Sequence, residues 1–358
     1  MIKKLLLTVC LILSMVGCSS TQTEEKSTGI TFQNNTGYSI KQLDINLDEE
    51  LKDLGYDYLD PIDYWPIAVN DSKIYFEIDN VSYSEGYTTV ALFTLNYITK
   101  EIEVIKKYDQ NIRVCDINFY NKDMIISEYN YDTKTNIVYM NDQKVLELTC
   151  DYLNKPNFFR LNNQVIGIYS QEINDEYQLG YFTLDESGFN NYMIDSYKVE
   201  NDEYQYLLYP NQASNNNDTV CFYTYGNETK GYYIQNGQLQ EFSIPVDGMF
   251  SLAIIDHSIF TDVSHIYNIE TKQWDTIEDI PENVNTEILR ATTLNDHQIL
   301  YIDSVFNAYI GDYDSSKFTQ LEVHSLDGMN IVSYYCIDSK AIVYGQKDNQ
   351  NIIYILEV

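Results

Sequence analysis

The sequence predicts an all-β protein, specifically a β-propeller of about seven four-stranded blades with an N-terminal strand that closes the ring. Three observations favour this fold. From Trp65 to the C-terminus, short apolar strands alternate with turns rich in Asn, Asp and Gly. The strands recur in units of similar length, which is typical of repeat architectures. One further strand-like segment precedes the first unit and has no other evident partner.

The repeating unit is marked by an Asn/Asp-rich turn followed by an apolar strand. That strand begins at Ile74, Met124, Val165, Val220, Ile259, Ile299 and Ile342. The mean spacing is about 45 residues, the size of one four-stranded propeller blade. Two stacked domains, or rings of six or eight blades, remain alternatives. A miscount would lie in the long interval between Val165 and Val220.

A hairpin within the unit adds a family resemblance. Residues 266–277 resemble the hairpin of the third and fourth strands in Kelch repeats, with Tyr267, Thr271 and Trp274 at matching places. Residues 92–105 repeat the pattern. No unit carries the Gly-Gly pair of Kelch repeats, so the resemblance implies a propeller in general and does not imply a Kelch function.

Ring closure is predicted from the two ends of the repeat region. The last unit stops at residues 352–358, which are interpreted as a third strand, so its fourth strand must come from elsewhere. Residues 40–45 alternate as a strand does and lie before the first unit. They would close the ring and remove an open sheet edge that invites aggregation. Residues 47–54, between this strand and the first unit, are predicted to form a short helix.

The N-terminus has the features of an export signal. Lys3 and Lys4 precede an apolar stretch at residues 5–16, which is too short to span a bilayer, and Gly17-Cys18 follows. This order resembles a bacterial lipoprotein signal, which implies cleavage before Cys18 and acylation of its sulfur. An ordinary cleaved signal with an incidental cysteine is the alternative.

The predicted organisation therefore has three parts. Residues 1–17 are the signal peptide, residues 18–29 are the lipidated cysteine and a polar tether, and residues 30–358 are the propeller domain. Met15 departs from the lipoprotein pattern, in which leucine is usual at that place. The expected location is the extracytoplasmic side of the cell membrane, with the lipid as the only membrane attachment.

Composition restricts the partners. The chain has 54 acidic and 22 basic residues, for a net charge of −32. Such a chain is repelled by nucleic acid and by anionic lipid surfaces, so no nucleic-acid partner is expected. Apolar residues make up 44% of the chain and aromatic residues 14%, which is enough for a large core.

The cysteines predict neither a redox motif nor a zinc site. Beyond Cys18, the domain contains Cys115, Cys150, Cys221 and Cys336, widely spaced and without a C-x-x-C pair. Buried free thiols are the favoured interpretation. Disulfides stay open as an alternative because an exported chain can form them.

Catalytic and metal motifs are missing from the sequence. Asp256-His257 and Asp296-His297 occupy the same turn in adjacent units, but Asp favours turns by bonding its own backbone. A metal site needs three or four converging ligands, so no metal and no cofactor are predicted. Acids are so frequent that no carboxylate pair stands out.

Aromatic residues in predicted loops are the remaining candidates for a ligand site. In a propeller, the loops between second and third strands and those between blades share one face. The candidates on that face are Trp65, Tyr83, Tyr87, Tyr129, Tyr131 and Tyr177. Tyr and Trp beside acidic groups suit the recognition of sugars, peptides or basic proteins. The alternative is that these rings fill strand positions, as β-propensity favours.

The function predicted from the sequence is a class and not a reaction. We expect a non-enzymatic, lipid-anchored propeller that binds a protein or glycan ligand on one face. A propeller enzyme such as a glycan hydrolase or lyase is the alternative, and a scaffold subunit of an envelope assembly is a third. Facing carboxylates at the central channel would favour the enzyme, whereas an aromatic face without buried acids would favour binding.

Overall fold

The structure of the chain is a computed structural model. It describes residues 31–33, 39–59, 62–82, 86–108, 111–150, 155–174, 176–198, 207–208, 214–225, 229–244, 251–261, 265–276, 288–303, 308–313, 317–320, 330–337, 340–347 and 350–357. Cys18 and Tyr83 lie outside these residues.

The described part of the chain contains seven antiparallel sheets, six built from consecutive strands and one from strands of both ends of the chain. Blade 1 contains β3 Asp63–Asn70, β4 Lys73–Ser82, β5 Gly86–Asn96 and β6 Ile102–Lys107. Blade 2 contains β7 Ile112–Tyr120, β8 Asp123–Asn130, β9 Thr135–Met140 and β10 Gln143–Thr149. Blade 3 contains β11 Asn157–Leu161, β12 Gln164–Ile173, β13 Glu176–Asp185 and β14 Gly188–Lys198. Blade 4 contains β15 Leu207–Leu208, β16 Ser214–Asn215, β17 Thr219–Tyr225, β18 Lys230–Gln235 and β19 Gln238–Ser243. Blade 5 contains β20 Ala253–Ile255, β21 Ser258–Phe260, β22 His265–Asn268 and β23 Gln273–Thr276. Blade 6 contains β24 Ile288–Thr293, β25 Gln298–Asp303, β26 Ala308–Asp312 and β27 Lys317–Gln320. Blade 7 joins the two ends of the chain and contains β1 Thr31–Gln33, β2 Ser39–Gln42, β28 Asn330–Ile337, β29 Lys340–Lys347 and β30 Gln350–Glu357.

The fold is the predicted seven-bladed propeller. Each of the seven predicted apolar strands is the second strand of its blade, from β4 in blade 1 to β29 in blade 7. First strands of neighbouring blades contact one another, as β3 does β7 and β7 does β11, so they surround the central axis. The long interval between Val165 and Val220, where a miscount of blades was expected, contains an irregularity. The first-strand position of blade 4 is occupied by two short strands, β15 and β16, which both pair with β17.

The N-terminal strand closes the ring, as predicted. β2 pairs antiparallel with β30, with Ser39 opposite Glu357 and Gln42 opposite Tyr354. The backbone N–H of Leu43 continues the ladder and donates to the carbonyl of Ile353 at 2.8 Å. β1 adds a fifth strand outside β2.

The segment after β2 is the predicted short helix, in modified form. Helix α1, Leu47–Leu51, is capped by the Asn46 side chain and continues as a π-helical turn, Lys52–Tyr56, beyond the predicted end at residue 54. Leu47 and Leu51 are buried in the core between blades 7 and 1. No helix among the described residues is long and apolar enough to cross a membrane.

One five-residue turn recurs in different blades. In residues 96–100, 130–134 and 268–272 an Asn side chain accepts two backbone N–H groups, from the residues two and three positions later. Each turn ends in a lysine with positive φ, at 63°, 53° and 57° respectively. The Asn side chain accepts hydrogen bonds from turn N–H groups that have no strand partner, which explains why Asn is frequent in the turns between strands.

The core is divided among the layers between adjacent blades. Blades 7 and 1 share a cluster that includes Tyr64, Phe76, Phe93 and Tyr344, with the rings of Phe76 and Phe93 stacked at 4.9 Å. Close approach of an aromatic ring explains one glycine in these layers. A Cβ on Gly167 would lie 2.1 Å from Cζ of Phe182, its cross-strand neighbour.

The buried-thiol interpretation is confirmed for Cys115, Cys150 and Cys221, which are buried and form no disulfide. Cys336 lies in β28, and its side chain is outside the described part of the structure.

Candidate functional site

A group of charged side chains lies between blades 1 and 2 at the end of each blade where its first strand begins. Asp63 stands directly opposite Asp79 on β3 and β4, and Trp65 stands opposite Glu77. Residues two apart on a strand face the same side, so the three carboxyls share one face of blade 1. Arg113, at the start of β7 in blade 2, faces them. We call Asp63, Glu77, Asp79 and Arg113 the Arg113 cluster.

Two ion pairs join the blades within this cluster. Nη2 of Arg113 lies 3.6 Å from Oε1 of Glu77 and 3.7 Å from Oδ2 of Asp79. The side chains of Asp79, Glu77 and Arg113 are 0%, 4% and 15% exposed. Ionised groups this deeply buried need compensating charge and hydrogen bonds, because removal from water costs several kcal/mol per ion.

Hydrogen bonds fix Glu77 but not Asp79. The hydroxyl of Thr89 donates to Oε2 of Glu77 at 3.1 Å and accepts the backbone N–H of Val114, in blade 2, at 2.9 Å. Both carboxyl oxygens of Asp79 are buried and have no hydrogen-bond partner within the described residues. The ion pair with Arg113 is therefore the direct contact that compensates Asp79 within the described residues.

The environment shifts the cluster toward the protonated form. Burial and the neighbouring Glu77 carboxyl raise the pKa of Asp79 to about 8, against the attraction of Arg113. Burial likewise raises the pKa of Glu77. The pKa of Asp63 is also raised by burial, while Arg113 and a hydrogen bond from Trp65 act in the opposite direction. Burial is the main physical reason for the raised pKa values, and repulsion between neighbouring carboxyls adds to it for Glu77 and Asp79.

Positive charge and a further acid extend the cluster into blade 3. Nζ of Lys155 donates to the carbonyl of Cys115 at 3.3 Å and acts electrostatically on Glu77 and Asp79. Asp116 accepts the backbone N–H of Phe158, the second residue of β11, at 2.7 Å. Burial raises the pKa of Asp116 to about 7.

The structure brings three of the predicted aromatic residues to this cluster. Trp65 is half-buried, hydrogen-bonds to Asp63 and meets Tyr344 edge to face at 6.5 Å. Tyr131 is half-buried and hydrogen-bonds to Arg113. Tyr129 is buried, and its ring meets that of Tyr131 edge to face at 5.0 Å. Tyr129 is thus a core residue supporting Tyr131, and the prediction that it is an exposed loop residue is wrong.

Of the other aromatic candidates, Tyr177 has a described side chain, and Tyr83 and Tyr87 do not. Tyr177 lies in β13, opposite Glu172 in blade 3, and is half-buried. Tyr87 lies in β5, and its side chain is outside the described residues, as is the whole of Tyr83.

The two Asp-His turns lie at the opposite end of the blades. The carbonyl of Asp256 accepts Nδ2 of Asn216 from blade 4 at 3.0 Å, and His257 faces Glu270 at 3.5 Å. The backbone N–H of His297 donates to its neighbour Asn295. These contacts hold the two turns in place and link one of them to the neighbouring blade. Within the described ranges no three His, Cys, Asp or Glu side chains are placed to hold a metal ion.

Arg113, Glu77 and Asp79 were not singled out from the sequence. A usable signal was present, because Glu77 and Asp79 alternate within the apolar strand that begins at Ile74. Acids on a buried strand need a cation. The chain has three arginines, and Arg113 is the one that follows this strand in the next blade.

Comparison with known proteins shows the fold alone. No known family profile and no curated protein matches the chain. Among solved structures, the β-propeller domain of the Trilobed protease from Pyrococcus furiosus is 11% identical, with 80% of this chain and 91% of that chain covered and a TM-score of 0.53. A structure from a study of two prolyl endopeptidases is 8% identical over 83% of this chain, which covers only half (50%) of that chain, with a TM-score of 0.52. YCF48 bound to D1 peptide is 10% identical, with 84% and 96% covered and a TM-score of 0.50.

The fold and the cluster together define a seven-bladed β-propeller with a buried, charged boundary between its first two blades. The solved structures similar to it include propellers that belong to peptidases and one that holds a peptide.

Proposed function

We propose that the chain is a lipid-anchored, extracytoplasmic binding or scaffold protein that recognises a protein or glycan ligand. The ligand would bind at the Arg113 cluster, on the propeller face where the first strands begin. The observation that carries this proposal is the gradient of exposure across the cluster. Asp63 and Trp65 are half-buried and Arg113 is partly exposed, whereas Glu77 and Asp79 are sealed beneath them.

This gradient suits recognition more than catalysis. A sealed carboxyl holds Arg113 in place and cannot reach a substrate, because a catalytic acid must come within hydrogen-bond distance of the reacting atom. Asp63, Trp65, Arg113 and Tyr131 form the part that a ligand can touch, and Trp, Tyr and Arg are the residue types that dominate binding energy at interfaces. The peptide held by YCF48 is a property of that protein and serves only as a precedent for the fold.

A propeller enzyme is the second candidate, and one observation favours it. Asp79 has a pKa raised to about 8 beside a second carboxyl, which is the pattern of a general acid that stays protonated at neutral pH. A movement that uncovers Asp79 would be needed for it to act on a substrate.

The test is a glycan and peptide array probed with residues 30–358, followed by affinity measurements on single variants. Trp65→Ala and Tyr131→Phe should weaken binding of an array ligand about tenfold or more, which corresponds to 1.4 kcal/mol. Tyr192→Ala is the matched control, because that ring is 42% exposed on the outer strand of blade 3, away from the cluster.

Normal binding by both cluster variants would show that the ligand binds elsewhere. If a glycan ligand is cleaved, and Asp79→Asn abolishes cleavage while leaving affinity unchanged, the enzyme replaces the binding protein as the function.

A further inference from the structure

The Arg113 cluster contains more carboxyl groups than cations. Asp63, Glu77 and Asp79 converge from blade 1 on the single guanidinium of Arg113. Among the described residues, the other titratable groups that interact with it are Tyr108 after β6, Cys115 on β7, Tyr131 in the turn after β8 and Lys155 before β11. Lys155 is bonded to the Cys115 carbonyl and acts on the acids from blade 3.

Asp79 supplies a second and separate observation. Its side chain is fully buried, and neither carboxyl oxygen has a hydrogen-bond partner among the described residues. Glu77, in the same layer, has Thr89 as a donor as well as Arg113. A buried polar group left without a hydrogen bond costs about 1–3 kcal/mol, and more when it is charged, so such groups in native proteins call for an explanation. A positive charge that a ligand brings to the neighbouring Asp63 would offset part of this cost.

The surroundings of Asp63 favour a positively charged ligand. Trp65 lies against Asp63, and Tyr131 lies against Arg113, so aromatic rings flank the exposed end of the cluster. A cation over an aromatic face gains about 0.5–2 kcal/mol, depending on its desolvation. An anionic group would instead meet three carboxyls, in a chain whose net charge is −32.

We propose that the Arg113 cluster binds one cationic group, the ammonium of a lysine side chain in a basic peptide, with Asp63 as its contact and the buried Asp79 beneath as a source of negative charge. This inference rests on the proposed function, since it names the ligand chemistry of the same site. The ammonium adds a positive charge and three N–H donors to a cluster whose three carboxyls outnumber the cations acting on them, Arg113 and Lys155.

Binding of a cation at this site is coupled to proton release. The pKa of Asp79, raised to about 8, means that the cluster holds a proton near neutral pH. An ammonium favours the ionised carboxyls, so it displaces a proton when it binds. Affinity therefore rises with pH between 6 and 8, by up to tenfold per pH unit for each proton displaced. An anionic ligand on Arg113 would show the opposite dependence.

The experiment uses residues 30–358 and three synthetic peptides, measured by isothermal titration calorimetry at pH 6, 7 and 8 and constant salt. The peptides are tri-lysine amide, its fully acetylated neutral form, and tri-glutamate amide. Tri-lysine amide alone should bind, more tightly at pH 8 than at pH 6. The measured heat should change with the ionisation enthalpy of the buffer, which reports the released proton.

Variants assign the binding to the cluster. Asp63→Asn and Asp79→Asn should each weaken tri-lysine binding tenfold or more. Asp275→Asn should leave it unchanged, because Asp275 is an exposed acid on the outer strand of blade 5. If Asp79→Asn fails to fold, Asp63→Asn decides the matter, since Asp63 is only half-buried.

Several outcomes would overturn the inference. These are no binding of tri-lysine amide, binding that Asp63→Asn does not weaken, equal losses in Asp63→Asn and Asp275→Asn, or preferential binding of tri-glutamate amide. The proposed function fails separately, when Trp65→Ala and Tyr131→Phe bind the array ligand as wild type does. An array ligand that needs Trp65 but carries no cation would uphold the proposed function and sink this inference.

Discussion

Asp63 and Asp79 lie directly opposite one another on the first two strands of blade 1, and Arg113 of blade 2 attracts both carboxyls. Like charges placed directly opposite on neighbouring strands destabilise a sheet unless a cation or protons compensate them. Here the cation comes from the next blade, so Arg113 contributes both to the stability of blade 1 and to its contact with blade 2.

Replacing Arg113 by Met should therefore destabilise the protein by about 3–5 kcal/mol, the usual cost of leaving a buried charge without its partner. The double variant Arg113→Met, Asp79→Asn should recover part of the loss, because it removes one of the stranded carboxyls. Urea unfolding of residues 30–358 measures both. Lys144→Met is the control, since it breaks an exposed lysine–carboxylate pair and should change the free energy of unfolding by no more than about 0.5 kcal/mol. Equal effects at the two positions would contradict the role given to Arg113.

Stability should fall as pH rises from about 4 to about 8. The pKa values of Asp79 and Asp116 are raised to about 8 and about 7, against about 3.9 in an unfolded chain. In that window the folded state binds more protons than the unfolded state, so their contribution is complete below pH 4 and is lost as pH passes the folded values. Urea unfolding at pH 5, 6.5 and 8 measures the slope. Asp79→Asn should flatten it, and a slope that rises with pH and is unaltered by the variant would refute the prediction.

Closure of the ring should depend on Leu43. This residue is 3% exposed, follows β2 and packs between blades 7 and 1. Leu43→Ala should cost about 2–5 kcal/mol through lost burial and the cavity left behind. Lys41→Ala, an exposed change on the same strand, should be nearly neutral. Deleting residues 30–46 should lower the melting temperature further, because an opened blade loses its neighbour. A deleted protein that melts as the full domain does would show that β2 is dispensable.

Lipidation at Cys18 is tested by metabolic labelling with a fatty acid. Cys18→Ala should abolish the label and move the protein out of the membrane fraction, because acyl chains would be its anchor. Cys10→Ala, within the apolar stretch of the signal, should keep both the label and the fraction. A label that persists in Cys18→Ala would rule out this anchor.

The fold was predictable because its signals are local and repeated. An Asn/Asp turn and an apolar strand recur in each blade, so β4 and its six counterparts could be placed from the sequence alone. Closure by β2 followed from counting strands in the last unit. The Arg113 cluster, by contrast, joins residues of different blades. The repeat pattern does not indicate which cation pairs with Glu77 and Asp79, so the cluster could not be predicted from it. The burial of Tyr129 was unforeseen for the same reason, since its ring lies in a core cluster that includes Phe158 and Val165 of the next blade.

The pairing of Ser39 with Glu357 also imposes an order on biosynthesis. The ribosome makes β2 before any blade and makes its partner β30 last. At about 5–20 residues per second, the interval is roughly 15–60 s. During that time six blades can assemble while the closing strand waits without a template. Contacts this distant in sequence form slowly, and both unpaired strands are open to wrong partners in the interim. The exposed Lys41 puts a charge on the waiting strand, which disfavours its pairing with another copy of the chain.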